Sequence, residues 1–190
     1  MELTLRDAAT VVHGMGFGAV LLLGFSGAFI GIHATSVSRS PWLPGDRELR
    51  LFSLYLGVMA GLAWLAVFAG AYVIYPWYRA VPPAGAALAG YPQRLLMSSP
   101  TTTGWHDIGM EWKEHIAWLA PISLTACAYV FWRYAARLRA MKGLRNMVIG
   151  LAVLAFVATG VAGFFGAMLN KFAPVRGGAD ILLMKGKVGG

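Results

Sequence analysis

Residues 51–75, LFSLYLGVMAGLAWLAVFAGAYVIY, carry no acid, no base and no histidine. At 1.5 Å per residue, a helix of that length covers the roughly 30 Å hydrocarbon core of a bilayer. The run closes on Pro76, Trp77 and Tyr78, an aromatic end suited to the headgroup layer. Once this stretch is read as a membrane span, three more follow by the same criterion, at 10–34, 112–134 and 146–169. Backbone groups in lipid must be satisfied within each segment, so the spans are helices. The predicted fold is all-α: a polytopic membrane protein with a four-transmembrane-helix bundle over residues 1–170. An outer loop spans 76–111, and an extramembrane tail spans 171–190.

Composition points the same way. Charged residues make up 13% of the 190-residue chain, against about 25% in soluble domains. The net charge of +8 does not imply nucleic acid, because the basic residues sit in short loops beside apolar runs, where they report orientation. Arg133, Arg137, Arg139, Lys142 and Arg145 lie between spans three and four; Arg39, Arg47 and Arg50 lie between spans one and two. The loop 76–111 holds only Arg79 and Arg94, and the N-terminal segment only Arg6. The positive-inside bias therefore places both termini and the long loop outside, on the periplasmic side of a cytoplasmic (inner) membrane. Lys171, Arg176, Lys185 and Lys187 in the tail run against it. The segment MELTLRDAAT lacks the basic region of a cleavable signal peptide, so the first apolar run is expected to serve as its own anchor. Cys127 is the single cysteine, which excludes an intramolecular disulfide and a C-x-x-C-H attachment site for c-type haem.

Ionisable residues at membrane depth are costly and point to function. Counted from the cytoplasmic ends, His13 lies 21 residues from Ala34 and His115 lies 19 from Tyr134, a difference in depth of about 3 Å. These two imidazoles, on different helices just inside the outer interface, are the candidate axial ligands of a haem or ligands of a metal. His106 would stand about 14 Å above His115 on a continuous helix and on the opposite face, so it is a reserve ligand. His33 sits about 30 Å below His13 with no second histidine at its depth, which disfavours a second stacked haem. Gly24, Gly27 and Gly31 share the face below His13 and admit either a neighbouring helix or a flat macrocycle. Gly160, Gly163 and Gly166 on span four read the same way.

Glu111 precedes His115 by four residues and shares its face, as a metal ligand, a group orienting His115, a proton acceptor for a quinol, or plain interfacial charge. Asp107 and Glu114 are expected to be exposed. Trp105, Trp112 and Trp118 read as an aromatic belt, with Trp118 also able to flank a cofactor. Pro121 is expected to leave the Ala117 carbonyl unpaired and kink span three. Met15 and Met110 lie near the histidine layer, but no repeated Met or His spacing supports copper.

The arrangement resembles membrane cytochromes b in layout alone. The expected function is a b-type cytochrome-like subunit of a respiratory or photosynthetic complex, an electron-transfer or anchor subunit rather than an independent enzyme. It would hold one haem b near the outer face and pass electrons between the quinone pool and a periplasmic redox protein. Its partners would be lipid, other membrane subunits and that redox protein, with no nucleic acid. Two alternatives stand beside it: a cofactor-free scaffold subunit, and a non-haem metal or quinol site built from His13, Glu111 and His115.

Overall fold

Four helices long and apolar enough to cross a membrane run Leu5–Ser36, Arg47–Tyr78, Trp105–Arg137 and Lys142–Phe172. The computed structural model describes residues 2–37, 45–174 and 180–182; Arg39, Arg176, Lys185 and Lys187 lie outside them. Each span has 31 to 33 residues. At 1.5 Å per residue that is about 47–50 Å, well beyond the hydrocarbon core. The helices outrun their apolar stretches, and one end is capped by side chains. At the start of span one, the Thr4 side chain accepts from the Asp7 amide while the Asp7 carboxylate accepts from the Thr4 amide.

The spans alternate in direction, and span three packs along both span two and span four. Lipid gives no hydrophobic drive for this association, so close approach of backbones and interdigitation carry it. Leu21, Phe25, Leu56, Leu124, Phe131 and Ala155 form the buried centre. Gly24, Gly27 and Gly31 form the seat of span two: Tyr55 donates its hydroxyl proton to the Gly24 carbonyl and lies over Gly27, and the Phe52 ring lies on Gly31. Outward-facing side chains such as Leu23, Ile30, Tyr72 and Trp132 are large, apolar and exposed, a surface that only lipid or protein would cover.

The two ends of the bundle differ. At the basic end, Arg139 donates through Nε and Nη2 to the Thr35 and Ala34 carbonyls, both at 3.0 Å. This closes orphan carbonyls at the C-terminus of span one and places a cation on the negative end of its dipole. At the other end, Glu2–Thr4 pairs antiparallel with Asp180–Leu182, so the N-terminal segment and the tail share that end. The connection between spans two and three folds over the same end through the short helices Leu88–Gly90 and Pro92–Met97. Leu96 packs there with Tyr78, Met110, Leu169 and Ala173 in a second small core.

Three spans widen at this terminus-bearing end. π-Helical segments occupy Val12–Ala19 on span one, Ala69–Ile74 on span two, and Trp105–Met110 and Trp112–Ile116 on span three. The Ala117 amide, for example, donates to the Trp112 carbonyl at 3.2 Å, a five-residue step. Span four is α-helical throughout. Span three returns to α geometry at Leu119, so Pro121 falls in the first turn of Leu119–Tyr134, where its missing N–H is not needed. The Ala117 carbonyl is not left unpaired, as the sequence led us to expect: the Ala120 amide donates to it at 3.2 Å.

Candidate functional site

Between the widened ends of spans one to three and the straight span four lies a cavity of about 770 Å³. Its floor is Leu21, Ala63 and Ala120, the top of the buried core, and its mouth reaches Thr10, Tyr75 and Asn170. The walls are small residues: Gly14 and Gly18 from span one, Ala66 and Gly70 from span two, Gly163 and Gly166 from span four. π-Turns are rare in proteins and concentrate at functional sites, and here they frame one chamber on three sides.

Four charged or imidazole side chains line this largely apolar chamber: His13, Lys113, Glu114 and His115. His13 stands against span two, with the Ala66 carbonyl beside its ring. A Cβ on Gly70 would come within 2.9 Å of its Cε1, so the glycine leaves the room that the imidazole occupies. Its Nδ1 is buried and has no hydrogen-bond partner. An unpaired buried ring nitrogen costs about 1–3 kcal/mol, which a ligand bonded there would recover.

His115 lines the same cavity from span three, but its side chain is 67% exposed. Its Nδ1 faces Glu111 twice, with the backbone carbonyl at 3.1 Å and the carboxylate at 3.3 Å, which leaves Nε2 for other partners. Glu111 itself is exposed and does not line the cavity. Trp118 does line it, donating its indole N–H to the Glu114 carbonyl at 2.9 Å and meeting Trp64 and Phe68 edge-on. Gly24 and Gly27 lie below the cavity against Tyr55, in helix packing, and do not line it. His33 is exposed at the basic end.

His106 sits apart from the chamber, buried between span two and the folded connection. The Gln93 amide is 3.2 Å from Nε2 and the Tyr78 hydroxyl is 2.8 Å from Nδ1. With Gln93 donating to Nε2, the Nδ1–H donates to the Tyr78 oxygen, so both ring nitrogens are used. As placed, His106 pins the connection to the bundle and has no lone pair left for a metal. Among the described residues, no group of three or more His, Cys, Asp or Glu is arranged to hold a metal ion, so His13, Glu111 and His115 do not converge as a non-haem ligand set.

The sequence pattern assigned neither of two lining residues, Lys113 and Glu114, to the site. Asp107 is exposed as expected, but Glu114 is not. It turns toward the cavity mouth, with its Oε1 lacking a hydrogen-bond partner and Arg79 at 4.0 Å. Lys113 reaches across to span four and donates to the Ala162 carbonyl at 3.2 Å. The depth count that singled out His115 applies equally to a lysine two residues earlier. No protein-family model, no curated protein and no solved structure matches this chain.

Proposed function

We propose that this chain is an electron-transfer subunit of the cytoplasmic membrane that holds one b-type haem in the cavity at its terminus-bearing end, and that this end faces the periplasm. The observation that carries the reading is that His13 and His115 line one cavity from different helices, His13 with a buried ring nitrogen that has no hydrogen-bond partner. At about 770 Å³ the cavity is within the range of small-molecule and cofactor sites, and its apolar walls suit a flat macrocycle. The bound group would supply one-electron chemistry; ligation, burial and access are the protein's part. His13 would offer a ring nitrogen from span one. His115 offers Nε2, with Glu111 fixing its ring through Nδ1 as carboxylates commonly do for ligating histidines. Trp118 and the glycine walls keep water from the faces of the group. In this reading Glu114 and Tyr75, which line the cavity, would meet a quinol that passes electrons on toward a periplasmic redox protein.

A reduced-minus-oxidised visible spectrum of the purified, haem-replete protein tests this. A sharp b-type α-band is expected, lost in His13→Ala and in His115→Ala while both variants still assemble in the membrane. No Soret absorption in the wild-type protein would end the haem reading and leave the cofactor-free subunit in its place.

A further inference from the structure

We propose that Lys113 anchors a carboxylate on the ligand of this cavity, so that the chamber selects an acidic tetrapyrrole over its neutral counterpart. The inference rests on the reading of the cavity as a porphyrin site and names the group that would orient the ring within it.

Lys113 carries three N–H donors, and the structure gives its ammonium one protein acceptor, the Ala162 carbonyl. A lysine near a helix end ordinarily snorkels, laying its stem along apolar surface and its charge in the headgroup layer. Here the charge is held by span four's backbone at Ala162, ten residues or about 15 Å before the helix end at Phe172. Space is kept for it. A Cβ on Gly166 would lie 3.0 Å from Nζ, so any larger residue there would press on the ammonium.

Among the residues whose side chains are described, no carboxylate lies within ion-pairing distance of Lys113. Glu114 is next in sequence, yet its nearest cation is Arg79 at 4.0 Å, and Glu111 is engaged with His115. Asp7 is committed to Thr4, and Asp107 to Thr103 on the exposed side. The other near neighbour of Lys113 is His13, itself a base, close enough for the ammonium to act on its ring electrostatically. An ammonium in an apolar chamber at membrane depth is stable when an anion pairs with it. A neutral quinone offers only a carbonyl dipole. A porphyrin carboxylate offers the missing countercharge, and with His13 on the same ligand it fixes the rotation of the ring.

The test uses the full-length protein in detergent and two fluorescent probes of one shape, metal-free protoporphyrin IX and its dimethyl ester. The acid is expected to bind about tenfold or more tightly than the ester, the scale of a charge-assisted hydrogen bond. Lys113→Met should abolish that preference, and Lys113→Arg should keep it. Gly166→Ala, which leaves the charge in place but crowds Nζ, should reduce it. Equal binding of acid and ester, binding of neither, or a preference that survives Lys113→Met overturns the assignment. A b-type band in a protein that binds acid and ester equally removes the role of Lys113 alone. A preference lost in Lys113→Met, without any b-type band in haem-replete protein, removes the haem reading alone.

Discussion

His106 illustrates how much a single side chain's surroundings decide. On sequence grounds it is a polar residue above a membrane span and a reserve ligand. In the fold it is buried, and both ring nitrogens are spent on Tyr78 and Gln93. His106→Phe fills a similar volume but strands a buried hydroxyl and a buried amide, at a cost on the order of 1–3 kcal/mol. The expected result is a lower unfolding midpoint in detergent and faster proteolysis of the connection at 79–104, with any haem spectrum retained. Loss of the spectrum with unchanged stability would instead make His106 a ligand. The signal that would have found its partners is weak, because Gln93 and Tyr78 lie 13 and 28 residues away and only the folded connection brings them in.

At the level of the helix, glycines separate into those that make room and those that do not. A Cβ on Gly31 would overlap the Phe52 ring, whereas one on Gly57 meets nothing within 4 Å. Gly31→Ala should therefore cost roughly 1–3 kcal/mol through overpacking between spans one and two. Gly57→Ala should be neutral or stabilising, since alanine is the better helix former. Thermal unfolding of the two variants side by side distinguishes them; equal midpoints would show that the close packing at Gly31 is not a determinant of stability. The glycine pattern was legible in the sequence as a face, but its use was not. Gly24 and Gly27 serve the packing of span two, while Gly70 and Gly166 clear space for His13 and Lys113. The wide turns explain part of this. Where the backbone bonds in five-residue steps, each residue advances by less than the 100° of an α-helix, and face assignments made by α counting drift. Glu114 therefore reaches the cavity that Glu111, four residues from His115, does not.

For the molecule as a whole, the pairing of Glu2–Thr4 with Asp180–Leu182 and the even number of spans put these two strands at one end of the bundle, opposite Arg139 and Arg145. The positive-inside bias then predicts that a cysteine introduced at Ala84 in the long connection is labelled by a membrane-impermeant maleimide from the periplasm, and one at Met141 only after the membrane is opened. Cys127, buried against the Val148 carbonyl, should stay unlabelled in both and need not be removed. The reverse pattern would invert the topology and place the cavity on the cytoplasmic side. The number of spans, their order and their helical nature follow from the sequence alone, because hydrophobic run length is a local property and lipid leaves a spanning backbone no other way to satisfy its hydrogen bonds. The depth count that paired His13 with His115 is also local, a count along each helix. Which side chains face inward was decided only by the tertiary structure. That choice depends on the rotation of each span about its axis, which the wide turns and the neighbouring helices set together, and it put Lys113 and Glu114 in the chamber and left Glu111 at its edge.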